Sequence, residues 1–172
     1  LVSGGYLIRY YYIARNAQNN FSNLKEMMDT NDGEDLVKVE ADKKEPGDDN
    51  GEKTILKKFA KLYEKNSDLA GWLTIKDTTI DYPVMYTPSS KEGGEYYIHR
   101  NYEGDYSAAG LPFIDSNCQI EPATDNVIIY GHNMNAGTMF HDLLLYEDQD
   151  FYESHKTFTF DTIYGDGEYE VV

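Results

Sequence analysis

Asn126-Val127-Ile128-Ile129-Tyr130-Gly131-His132-Asn133-Met134 decides the reading of this chain. Four apolar residues in a row, bounded by turn formers and rich in β-branched types, read as a strand. Gly131 ends the run and delivers His132 into Asn133-Met134-Asn135-Ala136-Gly137, where a rigid scaffold would present a functional group. Imidazole suits that position chemically. Its unperturbed pKa, about 6.5, permits proton transfer in both directions near neutrality.

Working outward, the same short period recurs. Trp72 to Ile75, Ile80 to Met85, Leu111 to Ile114 and Thr157 to Phe160 read as strands separated by Gly, Asp and Asn, and Gly165-Asp166-Gly167 can turn the chain into Glu168 to Val172. That last segment has no capping residue or polar tail. It is expected to be an edge strand, or else the sequence continues past Val172. Met139, Phe140, Leu143 and Leu144 predict one short helix.

Before Asn66 the period is longer. Ile13, Ala14, Ala17, Phe21, Leu24 and Met28 step by three and four, as do Ile55, Phe59, Leu62 and Tyr63, which predicts two amphipathic helices. Between them, residues 29–52 hold ten acids, three lysines, three glycines and a proline, the composition of a solvated linker. Asp29-Thr30-Asn31-Asp32-Gly33 places its glycine one position early for a calcium loop. The opening Leu1 to Tyr12 carries Tyr and Arg after apolar residues and reads either as the exit from a membrane anchor or as an ordinary helix start.

The 172 residues suffice for a core without metal or disulfide, and the single cysteine cannot form an internal bridge. A net charge of −16 repels phosphate backbones, so nucleic acid is not expected as a partner. No two of His99, His132, His141 and His155 stand at zinc-ligand spacing, and neither metal nor cofactor is expected. His99, His141 and His155 read as surface or packing residues. Cys118 reads as a small buried hydrophobe or as a thiol activated by His132.

Taken together, Asn66 to Ile75, Thr79 to Met85, Tyr96 to Asn101, Gly110 to Asp115, and Asn126 to Met134 followed by Gly137 to Phe140 resemble the class B sortases. The resemblance covers about residues 66–172. It implies a mainly β fold, a sortase-like β-barrel with a helical N-terminal extension, incomplete at its C-terminus. It divides the chain into a helix at 1–28 after a membrane anchor, an acidic linker at 29–52, a second helix at 53–66 and the barrel at 67–172.

It further implies a membrane-anchored cysteine transpeptidase on the outer face of a Gram-positive-type cell. Such an enzyme cleaves an Asn-Pro-x-Thr sorting motif in a secreted protein and joins it to a cell-wall amino group. His132 matches the family's catalytic histidine, and Ile98 matches an apolar wall of the sorting-peptide groove. The family's nucleophilic cysteine and its oxyanion-stabilising arginine follow the histidine, and no Cys or Arg follows His132 here. The expectation is an N-terminal portion of such an enzyme, inactive alone. The competing expectation is a non-catalytic surface module that binds a peptide or protein.

Overall fold

The computed structural model describes residues 5, 11–12, 20–28, 35–40 and 52–172. The core is a curled six-stranded half-barrel in the order β10-β9-β3-β4-β5-β6. Its members are β3 (Leu69–Thr74), β4 (Asp81–Tyr86), β5 (Phe113–Ile114), β6 (Ile129–Tyr130), β9 (Thr157–Thr162) and β10 (Glu168–Glu170). Every pairing is antiparallel except β4 with β5, and β10 and β6 form the two edges. The mainly β class read from the alternation is therefore observed.

β3 is the middle of the sheet because its side chains have no wet face. Leu69 to Leu73 are buried throughout, with Trp72 3% exposed, so both flanks must be covered by neighbours. Gly71 permits this. A Cβ there would lie 2.2 Å from the Asp161 carbonyl oxygen of β9, so only glycine allows the two backbones to close up.

Residues 20–26 are helical and form α1, and the first-helix expectation for 1–28 otherwise falls largely outside the described residues, as does the Leu1 to Tyr12 reading apart from positions 5, 11 and 12. Phe21 and Leu24 are buried, the Phe21 ring meets Tyr82 edge-on at 4.9 Å, and Lys25 pairs with Asp81. The sticky face of this helix is thus spent on β4. Among the described residues no helix is long and apolar enough to cross a membrane.

The linker and second-helix boundaries need correction. Leu36–Glu40 and Glu52–Leu56 form an antiparallel hairpin, β1 and β2, where a solvated linker and the start of a helix were expected. Val37-Lys38-Val39-Glu40 alternates apolar with polar, and Thr54 and Ile55 are β-branched. Pairing lets Val39, Ile55 and Leu56 enter the core, which outweighs the acidic composition. Residues 41–50 lie outside the described set. The helix then begins late, as a 3-10 turn at Lys57–Phe59 followed by α2 at Ala60–Lys65. Lys58 ties this segment to the sheet through Asp161 (2.7 Å) and Asp166.

After β6 come the small hairpin β7 (Asn133–Met134) and β8 (Thr138–Met139) and a 3-10 helix, Phe140–Glu147, where a short helix was predicted. A further helix, α3 (Gln149–Ser154), was not predicted. Its signal was present in Asp148, whose carboxylate caps the Phe151 N–H at 2.9 Å.

The close approach at Gly71 generates a direct test. Gly71→Ala forces β3 and β9 apart, and should lower unfolding stability by about 1–3 kcal/mol, read from the urea midpoint. An unchanged midpoint would mean that the two strands are not held as closely as described.

Candidate active site

The sheet converges on one face near His132. Tyr130 ends β6 and His132 follows it by two residues, and both side chains line one cavity. Phe113 on β5 pairs directly with Tyr130, their rings 5.6 Å apart. Opposite them the 3-10 turn Tyr96–His99 carries Ile98. Glu95, Ile98, Leu111, Phe113, Tyr130, Gly131 and His132 enclose a cavity of about 200 Å³.

The structure therefore brings together Ile98 and His132, which stand 34 residues apart. The His132 Nε2 lies 2.8 Å from the Ile98 carbonyl oxygen. A carbonyl can only accept, so the ring nitrogen there carries its hydrogen, and the neutral imidazole keeps Nδ1 as its proton acceptor. The His99 ring stacks on His132 at 5.1 Å, with 21° between planes. Ile98 is 36% exposed and Tyr130 46%, so both are open to a ligand.

Local sequence holds His132 in place. The Phe140 ring crosses behind Gly131, where a Cβ would meet it at 2.7 Å, and the Phe140 N–H donates to the His132 carbonyl at 2.8 Å. β7 leaves directly from His132 and returns through Gly137, at φ +74°, to β8. Met139 closes the hairpin in a conformation rare for a side-chain-bearing residue, φ +58°, fully buried, its N–H donating to the Tyr82 hydroxyl at 3.0 Å. Such strain costs on the order of 1–3 kcal/mol and persists only where packing over-determines it.

The Ile98 turn is anchored from below. Buried Asp68 accepts hydrogen bonds from the Tyr97 hydroxyl and the Lys91 ammonium, both at 2.9 Å. Asn66 Nδ2 donates to the Tyr97 oxygen at 2.8 Å and to the Tyr102 carbonyl at 2.7 Å. Burial above all pushes the Tyr97 phenol far above the ordinary tyrosine range, so it stays a neutral donor to Asp68.

At the rim, Tyr130 donates to Asp115 at 3.2 Å. That hydrogen bond to Asp115, with smaller contributions including the Glu95 charge, raises the phenol's pKa. Asp115 is held low, first by the Asn117 backbone N–H and then by the Asn117 side chain.

Cys118 is placed elsewhere. It is buried, its Sγ 3.5 Å from the Ile128 nitrogen, and it does not line the His132 cavity. Of the remaining histidines, His141 Nδ1 contacts Asn133 Oδ1 at 2.9 Å and His155 stacks on Phe151. Among the described residues no cluster of His, Cys, Asp or Glu is gathered to hold a metal. Tyr130, Glu95, Leu111 and Phe113 were missed by sequence reasoning. For Tyr130 the signal was available, since period-two alternation sets it beside His132.

No family model matches the sequence. Sortase B of Listeria monocytogenes is 46% identical over 101 residues, 59% of this chain and 39% of that protein. Sortase B of Staphylococcus aureus is 33% identical over 107 residues, covering 62% of this chain and 42% of that protein. Among solved structures, a Bacillus anthracis sortase B complex aligns with a TM-score of 0.65 at 27% identity, over 99% of this chain and 68% of that one. A Staphylococcus aureus sortase B–substrate complex aligns with a TM-score of 0.63 at 31% identity, over 68% of this chain and 52% of that one. The chain spans about two-fifths of the length of these curated relatives. Strand order, the motif around His132 and these likenesses agree: the chain is similar in sequence and fold to the class B sortases over part of their length.

Proposed function

We propose that this chain provides the peptide groove and the acid/base histidine of a sortase-type cysteine transpeptidase. The substrate would be an Asn-Pro-x-Thr sorting motif, joined after cleavage to a cell-wall amino group. The observation that carries this reading is the single cavity shared by Ile98 and His132, in a fold that aligns with a solved sortase B–substrate complex. In this reading Ile98, Leu111 and Phe113 seat the apolar part of the peptide. Tyr130 closes its side.

His132 would first take the nucleophile's thiol proton at Nδ1, give it to the leaving amine and then accept one from the incoming amine. Its Nδ1 is the free acceptor of the neutral ring, and the Ile98 carbonyl fixes that tautomer. The family's nucleophilic cysteine and oxyanion-stabilising arginine have no counterpart after His132 in these 172 residues. By the same resemblance the protein works on the extracellular face of the cell membrane, held by an N-terminal anchor.

A second reading is a peptide-binding module without chemistry. It is favoured by the burial of Cys118 away from the His132 cavity. The parent reading frame past Val172 separates the two. A cysteine and an arginine on strand-like segments support the enzyme, and an immediate stop codon supports the module. With the enzyme complete, His132→Ala should lower transpeptidation about 10²- to 10⁴-fold.

Two measurements on the 172-residue chain follow. In NMR titrations an Asn-Pro-Gln-Thr peptide should shift the Ile98 methyls and the His132 ring together. Ile98→Asp should weaken that binding by about 10-fold or more, since it replaces an apolar contact with a charge. Unchanged affinity would remove Ile98 from the groove. Mass spectrometry after incubation with the same peptide should show no thioester, because the only thiol is buried outside the His132 cavity. An acyl adduct on Cys118 would assign the nucleophile to Cys118 and contradict the proposed division of labour.

A further inference from the structure

The cavity between Ile98 and His132 has apolar walls and one carboxylate, that of Glu95. The charges around it are already committed. Arg100 pairs with Glu92 at 3.1 Å and lies over the Tyr96 ring at 4.4 Å. Lys91 reaches Asp68 at 2.9 Å and lies over the same ring at 3.7 Å. Asp115, on the other side of Tyr130, is occupied by the Asn117 backbone and side chain at 2.8 and 2.9 Å and by the Tyr130 hydroxyl. Among the described residues no ion pair or side-chain hydrogen bond involves Glu95, although its charge is felt at the Tyr130 hydroxyl. An unmatched carboxylate in a half-apolar groove attracts an ammonium or guanidinium and opposes another carboxylate. The net charge of −16 reinforces that preference at longer range.

We infer that Glu95 is a specificity-determining residue that favours peptides presenting a lysine or arginine side chain to the Tyr130 side of the groove and disfavours acidic ones. This rests on the reading of the Ile98–His132 cavity as a peptide groove. In an Asn-Pro-x-Thr frame, only the variable position is free to carry charge, so x is where Glu95 acts.

The test titrates the 172-residue chain with Asn-Pro-Lys-Thr, Asn-Pro-Gln-Thr and Asn-Pro-Glu-Thr peptides, following the Ile98 and His132 resonances. The unaltered chain should bind the lysine peptide on the order of fivefold more tightly than the glutamate peptide at low salt. Raising the ionic strength should narrow the gap. Glu95→Gln should largely remove it and Glu95→Lys should reverse it. Asp125→Lys, a comparable charge change outside the cavity lining, should leave the order intact. Far-UV circular dichroism checks that each variant folds. If the peptides shift both resonances but rank alike in the unaltered chain and in Glu95→Lys, Glu95 is not the determinant and the groove reading stands. If no peptide shifts either resonance, the groove reading falls and this inference with it.

Discussion

Buried Asp68 is the constraint on which the site depends. A carboxylate 6% exposed at the entrance to β3 needs partners, and Tyr97 and Lys91, both from the segment that crosses the sheet, are among those it has. Asn66 fastens the same tyrosine from the other side, and Tyr102 completes the anchor by donating to the Leu62 carbonyl at 2.8 Å. Because leaving a buried charge unpaired costs several kcal/mol, this segment has little freedom to lift away. Ile98, one residue beyond Tyr97, is thereby fixed over β5 and β6.

The histidine is fixed from the opposite direction. β6 brings it to the rim, Gly131 lets Phe140 pack behind it, and the strained Met139 is held by the hydroxyl of Tyr82 on β4. The two supports meet where His132 donates to the Ile98 carbonyl. Strain stored beside a functional group and offset by surrounding packing is a common arrangement in binding and catalytic sites. Here the same hydrogen bond sets the tautomer of the ring and joins two walls of the cavity.

Much of this was legible in the sequence, for identifiable reasons. Period-two segments such as Thr157 to Phe160 and turn formers such as Gly165-Asp166-Gly167 marked the strands and the final hairpin. The turn formers after His132 marked the functional end of β6. The β1–β2 hairpin was hidden because acidic composition masked the alternation of Leu36 to Glu40, whose partner strand lies twelve or more residues away. The start of the second helix was misplaced because Ile55 and Phe59 fit a helical spacing although Ile55 belongs to a strand. The walls contributed by Glu95, Leu111 and Phe113 depend on how the Tyr96–His99 turn folds across the sheet. No local spacing encodes that crossing.

The central claim is that Ile98 and His132 form one peptide groove, distinct from the second cavity of similar volume lined by Lys53, Tyr63, Tyr86 and Tyr164. The most direct measurement is paramagnetic broadening by an Asn-Pro-Gln-Thr peptide carrying a nitroxide at its C-terminus. The account predicts that the resonances of Ile98, Tyr130 and His132 broaden together with one apparent affinity, while those of Tyr63 and Tyr164 stay sharp. Broadening centred on Tyr63 and Tyr164, with Ile98 and His132 unaffected, would contradict it.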